Sequence, residues 1–323
     1  RDSPLAVVIV CTMTTANGCT DTISKWITIY PQATPSFTIN NNNRKQCLTG
    51  NAFGFTNAST IASPGSPLTY SWNYGDGSAA TTSANGSRTY TAAGNYKVVL
   101  TTTSANGCTD SVSTWVTVYP QVSRGLTVAS PKQCLKNNSV TFTNTSTIAS
   151  PGSPMTYSWN FGDTLGTSTS QSPIYSYNRA GIFKAVCTMT TANGCTDTIS
   201  KWITIYPQAT PSFTINNNNR KQCLRGNAFT FTNASTIASP GSPLTYSWNY
   251  GDGSAATTSA NGSRTYTAAG NYKVVLTTTS ANGCTDSVST WVTVYPQATR
   301  NISINTYKQC LRGNNFIATN TSS

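Results

Sequence analysis

Ten cysteines are the residues in this chain best suited to covalent chemistry, and eight of them recur in two fixed strings. Lys-Gln-Cys-Leu places Cys47, Cys134, Cys223 and Cys310 at steps of 87, 89 and 87 residues. Ala-Asn-Gly-Cys-Thr-Asp places Cys19, Cys108, Cys195 and Cys284 at steps of 89, 87 and 89. Two cysteines per repeat at fixed places suit disulfides in an oxidising compartment. Catalytic chemistry finds little to work with. The chain has no His and no Glu, and its eight acidic residues are all Asp. Ser-His-Asp and Cys-His arrangements are therefore excluded, and the commonest general base is missing. Zinc would need clustered cysteines, yet no Cys-x-x-Cys occurs. The Asp residues recur singly in two turn contexts and do not pair. The sequence reads as a non-enzyme with no cofactor and no metal site.

The two cysteine strings alternate, and together they define a super-repeat of 176 residues. Residues 33–121 and 209–297 differ only at Thr49/Arg225 and Gly54/Thr230, whereas 122–208 is a second, divergent type. Residues 1–32 match 177–208 and residues 298–323 match 122–147. The expected organisation is a partial repeat at 1–32 (last strands), a type A repeat at 33–121, a type B repeat at 122–208, a second type A repeat at 209–297 and a partial repeat at 298–323 (first strands). The two partial ends together lack the counterpart of 148–176, which carries Trp159, so the chain reads as a window on a longer array.

Only 9% of residues are charged, against roughly 25% in ordinary domains. Thr, Ser and Asn fill the polar positions, which favours strands and turns. Within 33–121, Ser36–Ile39 reads as a first strand and Asn40 to Gly50 as a polar loop. Phe53 and Phe55 then alternate with small residues, as do Tyr70, Trp72 and Tyr74 in the next run. Gly75-Asp76-Gly77 makes a turn, Tyr96, Val98 and Leu100 alternate again, and Val112, Val116 and Val118 close the domain. Short strands with regular turns over about 90 residues predict an all-β chain of immunoglobulin-like antiparallel sandwiches, three complete and two partial. No apolar run is long enough to span a membrane.

Trp72-Asn73-Tyr74-Gly75-Asp76-Gly77, Trp159-Asn160-Phe161-Gly162-Asp163 and Trp248-Asn249-Tyr250-Gly251-Asp252-Gly253 resemble the W-x-F-G-D-G signature of PKD (polycystic kidney disease) domains. Tyr90 and the segment Gly94-Asn95-Tyr96-Lys97-Val98 resemble that family's downstream string. The flanking cysteine strings resemble the version common in large surface proteins of Bacteroidota. The resemblance implies an extracellular spacer, adhesin or accessory module with no single activity. Gly-Asp-Thr at 162–164 departs from the turn signature.

Strand direction bears on the cysteine pairing. Cys47 lies where the chain leaves its domain and Cys108 where it enters. Strands of roughly 20 Å separate the two ends, and a disulfide needs Cα atoms within about 7 Å. This geometry favours inter-domain bridges Cys47–Cys195 and Cys134–Cys284, with Cys19, Cys108, Cys223 and Cys310 finding partners outside the window. Intradomain pairs Cys47–Cys108, Cys134–Cys195 and Cys223–Cys284 are the alternative. Cys11 and Cys187 occupy an inward position held by leucine in type A, and are expected as buried free thiols.

Trp72, Trp159 and Trp248 are expected in the core. Trp26, Trp115, Trp202 and Trp291 are out of phase with the inward valines, which makes them candidates for contact with another domain or chain, or with a glycan. A local bulge turning them inward is the alternative. Asp76, Asp163 and Asp252 fit hydrogen-bonded turns better than Ca²⁺ ligands, there being one carboxylate per turn. The Asp-[Ser/Thr]-aliphatic string resembles an O-glycosylation motif of Bacteroidota, with Thr22, Ser111, Thr198 and Ser287 as acceptors. The net charge of +12 is dispersed, with clusters at Arg44-Lys45, Arg220-Lys221-Arg225 and Lys308-Arg312, and no stacking platform for nucleic acid is evident. The functional expectation is a secreted, non-catalytic stalk, adhesin or surface filament that self-associates. Alternatives are a carbohydrate-binding or spacer region of a secreted polysaccharide-degrading enzyme, and an adhesin binding through long loops such as 58–69.

Overall fold

Residues 5–63, 65–216 and 219–323 are described by a computed structural model. Residues 1–4 of the first partial repeat and Pro64 of the 58–69 loop lie outside the described residues. The chain is all-β, and no helix among the described residues is long and apolar enough to cross a membrane. Strands β1 (Leu5–Thr14) and β2 (Thr20–Ile29) form a hairpin, and three complete sandwiches follow.

The first sandwich pairs a sheet of β3 (Phe37–Ile39), β5 (Phe53–Asn57) and β7 (Gly86–Arg88) with a second sheet in the order β4-β9-β8-β6. These are β4 (Lys45–Cys47), β6 (Thr69–Asn73), β8 (Gly94–Thr103) and β9 (Thr109–Tyr119). Period-two alternation sends Phe53, Phe55, Trp72, Val98, Leu100, Val116 and Val118 into the space between the sheets, where all are buried. The Trp72 indole, fully enclosed, still needs an acceptor and donates to the Ser83 carbonyl at 3.1 Å. Gly75 takes φ +76°, and a Cβ there would lie 2.6 Å from the Lys97 carbonyl oxygen, so the turn after Tyr74 requires glycine.

The second sandwich has sheets β10-β12-β15 and β11-β17-β16-β13-β14, made from β10 (Leu126–Ala129), β11 (Lys132–Cys134), β12 (Val140–Asn144), β13 (Met155–Asn160), β14 (Thr167–Ser168), β15 (Ile174–Tyr175), β16 (Gly181–Thr191) and β17 (Thr196–Tyr206). The third repeats the first with β18 (Phe213–Ile215), β19 (Lys221–Cys223), β20 (Phe229–Asn233), β21 (Leu244–Asn249), β22 (Gly262–Arg264), β23 (Gly270–Ser280) and β24 (Thr285–Tyr295). A short hairpin of β25 (Ile302–Ile304) and β26 (Ala318–Asn320) ends the described chain.

One expected loop contains a strand. Within Asn40 to Gly50, Lys45–Cys47 runs parallel to the end of β9, with Cys47 opposite Tyr119. Three polar residues give no alternation to read, so only the pairing reveals the strand. The two type A copies differ where β5 meets this segment. Gly54 leaves room for Asn40, whose Oδ1 accepts a hydrogen bond from Thr56, whereas a Cβ there would collide with Asn40 Nδ2. In the third domain Thr230 fills that place, and its buried hydroxyl has no partner among the described residues.

Candidate functional site at the domain junctions

Each complete domain carries one cysteine at either end, set there by local structure. Cys47, Cys134 and Cys223 lie on the short parallel strands opposite Tyr119, Tyr206 and Tyr295, where the chain leaves its domain. Cys195 and Cys284 close the hairpin turns at the entry ends. The Cys195 amide donates to Thr191 Oγ1 at 3.1 Å and the Cys284 amide to Ser280 Oγ at 3.1 Å. Gly194 and Gly283 adopt φ +79° and +81° in these turns, which a side chain would strain.

The structure joins Cys47 to Cys195 and Cys134 to Cys284, with Cα atoms 5.7 and 5.5 Å apart and sequence separations of 148 and 150 residues. Both bonds cross a domain boundary. Cys19, Cys108, Cys223 and Cys310 are free thiols among the described residues. Cys187 is fully buried, and burial pushes its thiol up to about 11 against the partial relief of Asn144 and a backbone donor. Cys11, expected inside as well, is exposed. Its hairpin, β1–β2, has no facing sheet packed on it among the described residues, so the inward phase has nothing to pack against.

The two junctions differ in their polar contacts. Between the second and third domains, Lys136 donates to Asp286 Oδ1 at 2.6 Å, and Gln208 of the linker donates to the Thr285 carbonyl at 2.6 Å. The Lys136 ammonium holds the Asp286 carboxyl below its ordinary range, against a smaller opposing effect of burial. Between the first and second domains the place of Lys136 is taken by Thr49. The carboxylate there, Asp197, instead receives Arg124 of its own domain at 2.7 and 2.9 Å. Burial raises Asp197, and the hydrogen bonds from Arg124 and Thr198 outweigh it. A cleft of about 330 Å³ remains beside this bridge, lined by Leu48, Thr49, Gln121, Val122 and Asp197.

The Asp of each inter-strand turn is saturated by its own domain. Asp76 accepts from Ser78 and, through Oδ2, from Arg88 at 2.6 Å; Asp252 does the same with Ser254 and Arg264. In the second domain Tyr175 takes the arginine's part, its hydroxyl 2.6 Å from Asp163 Oδ2. These are hydrogen-bonded turns.

The second set of tryptophans faces solvent. Trp26, Trp115, Trp202 and Trp291 are 72, 58, 63 and 58% exposed. In the three complete domains each lies opposite a lysine in the sheet: Lys97, Lys184 and Lys273. Lys184 Nζ sits 5.9 Å from the Trp202 ring centroid. No bulge turns these rings inward. Thr22, Ser111, Thr198 and Ser287 are exposed, and each donates its amide to the preceding Asp carboxylate.

Sequence reading missed a buried clamp. Asn51 Nδ2 donates to the carbonyls of Leu48 and Tyr90 while its Oδ1 accepts from the Tyr90 amide. Asn138 and Asn227 repeat the arrangement with Tyr177 and Tyr266. The clamp fixes the segment following each exit cysteine to the core. Its only signal in the sequence is an asparagine four residues after each of those cysteines.

A family model described as PKD domain matches residues 33–118, 126–205 and 209–294. The first PKD domain of the Vibrio cholerae metalloprotease PrtV is 33% identical over 27% of this chain and 96% of its own, with a TM-score of 0.22. The first PKD domain of Vibrio anguillarum Epp is 23% identical over 28% and 96%, with a TM-score of 0.23. A Ca²⁺-stabilised ice-binding adhesin of an Antarctic bacterium is 15% identical over 90% of this chain and 82% of its own, with a TM-score of 0.29. No curated protein matches the chain.

Proposed function

We propose that this chain, which belongs to the PKD domain family, serves as the disulfide-locked shaft of an extracellular surface stalk or filament. Tandem sandwiches of this kind are typically non-catalytic, and the function assigned to the chain is mechanical. The observation that carries the reading is the placement of a disulfide across each of the two junctions between complete domains. A hinge between domains is the usual weak point of an array. A covalent bridge beside a three-residue linker, such as Pro120–Val122, removes that freedom, and structural disulfides are characteristic of an oxidising compartment. Cys19, Cys108, Cys223 and Cys310 occupy equivalent places and are assigned the same bond to further repeats. The outward Trp115, Trp202 and Trp291 are assigned to lateral contact between arrays. Thr22, Ser111, Thr198 and Ser287 are candidate glycan acceptors.

Electron microscopy of the material isolated from its source, with and without reductant, tests the assignment. Straight fibres with an axial repeat of one or two domains are expected, turning flexible when reduced. Isolated particles with bent junctions under oxidising conditions would overturn it.

A second reading, a glycan-binding spacer of a secreted enzyme, draws on the same tryptophans. Each exposed indole beside a lysine sits on a face of Ser and Thr side chains, a surface on which a sugar ring can stack. Binding to polysaccharides that is lost in Trp115→Ala, Trp202→Ala and Trp291→Ala, with fibres unaffected, would favour this second reading.

A further inference from the structure

The two bridges overlap in sequence. Cys47–Cys195 closes a loop of the chain from 47 to 195, and Cys134–Cys284 closes another from 134 to 284. The segment between Cys134 and Cys195, most of the second domain, belongs to both. Had the cysteines paired within domains, each loop would be separate and the linkers would lie outside all of them.

Overlap changes what a backbone cut can do. Four half-cystines divide the chain into three stretches: 47–134, 134–195 and 195–284. With the backbone broken in the first stretch, residue 47 still reaches residue 284 through Cys195. With a break in the third, it does so through Cys134. With breaks in both, the route runs from Cys47 to Cys195, back along the second domain to Cys134, and on to Cys284. A break in the middle stretch leaves two routes open. Only when all three stretches are cut do the two ends separate.

We infer that the interlaced bridges make the array resistant to severing by proteolysis: between residues 47 and 284, no one cut and no two cuts in different stretches divide it. Exposed loops are the usual sites of nicking, and every domain here has several. Examples are Ala79 and Ala80 in the first domain, Ser130 and Thr169 in the second, and Ala255 and Ala256 in the third, all exposed. For a protein outside the cell, where proteases act and no repair occurs, each nick is silent as long as the bridges hold. Joining a domain to both neighbours by bond as well as by linker is what supplies the redundancy. The inference rests on the inter-domain bridges, and it holds whether the array serves as a shaft or as a spacer.

The test uses the full oxidised chain with free thiols blocked by N-ethylmaleimide, and recognition sequences for site-specific proteases inserted at Ala79, Ser130, Thr169 or Ala255. Folding of each insertion variant is checked by its thermal transition before cleavage. The products are run on denaturing gels with and without reductant. Any single cut should leave one species of full mass without reductant and two fragments with it. Pairwise cuts at Ala79, Thr169 and Ala255 should also leave one species. The triple cut should give two covalent species, one made of 1–79 with 170–255 and the other of 80–169 with 256–323. In Cys47→Ser/Cys195→Ser, a cut at Ala79 or Ser130 should sever the chain while cuts at Thr169 and Ala255 do not. Release of fragments by the single cut at Ser130 without reductant would overturn the inference, because it signals pairing within domains. Two species after any pairwise cut would overturn it too. Neither outcome bears on whether fibres form, so this result and the proposed function fail separately.

Discussion

Tyr175 donates a 2.6 Å hydrogen bond to Asp163 at the place where the flanking domains set Arg88 against Asp76 and Arg264 against Asp252. One turn is thus tied down by a neutral donor in the second domain and by a cation in the first and third. Burial raises the Asp163 carboxyl, but the hydroxyl of Tyr175 and the amides of Gly166 and Leu165 prevail and leave it below its ordinary range. Burial and the same bond push Tyr175 up to about 12.

These shifts set a pH window for the second domain. An Asp lowered on folding adds stability above its unfolded value of about 3.9, and that stability is lost as pH falls through the folded value. A Tyr raised on folding adds stability below about 10, lost as pH rises toward about 12. Tyr175→Phe should remove the tyrosine effect and the part of the Asp163 effect that its hydroxyl supplies, leaving the amides of Gly166 and Leu165. We expect a loss of about 1.5–3 kcal/mol at pH 7, typical for a bond to a charged acceptor. The difference from wild type should shrink below pH 4 and above pH 11, as followed by thermal unfolding across that range.

Asn51→Ala should destabilise the first domain by about 2–4 kcal/mol, because it strands the Tyr90 amide and the carbonyls of Leu48 and Tyr90 inside. Asn138→Ala and Asn227→Ala should do the same to their own domains. Denaturant titration of each variant checks the size. A loss below about 0.5 kcal/mol would mean that water replaces the amide.

How much of this was legible beforehand follows from range. Alternation marked Phe53, Phe55, Trp72 and Leu100 as core because period two is a local property, and the structure buries all four. Strand direction told at which end of its domain each cysteine sits, since it follows from the order of the strands. The Asn51 clamp was invisible because its partner is 39 residues away and asparagine serves loops equally well. Strand β4 was invisible because Lys45-Gln46-Cys47 has no apolar pattern. Cys11 misled because its phase is that of Cys187, and phase says nothing about whether a second sheet covers it.

Thr230→Val should stabilise the third domain by up to about 1 kcal/mol. The buried hydroxyl of Thr230 has no partner among the described residues, and an isosteric methyl removes that desolvation cost. The reverse experiment, Gly54→Thr in the first domain, should cost stability, since the new side chain displaces Asn40 and breaks its bond from Thr56. Differential scanning calorimetry of the two variants gives both signs.

Trp115→Ala, Trp202→Ala and Trp291→Ala together should abolish lateral association while leaving the thermal transition within about 1 °C. The rings are more than half exposed, so truncation removes little buried surface from the fold itself. Sedimentation velocity across a concentration series reads the association. If the triple variant associates as wild type does, the tryptophans are not the contact.

Pulling on the two ends should distinguish oxidised from reduced chains by length as well as force. With both bridges in place the shortest covalent route from residue 47 to residue 284 passes through Cys195 and Cys134 and runs over 61 residue steps, against 237 along the backbone. At roughly 3.3–3.6 Å per extended residue, the bridges therefore withhold about 600 Å of contour length. The second domain lies on this short route and must carry the load. Most of the first and third is held off it. In single-molecule force spectroscopy, the oxidised chain should stop extending about 600 Å before the reduced one, and Tyr175→Phe should lower the oxidised unfolding force more than Arg88→Ala does. Equal final extensions with and without reductant would show that the bridges withhold no length from the chain.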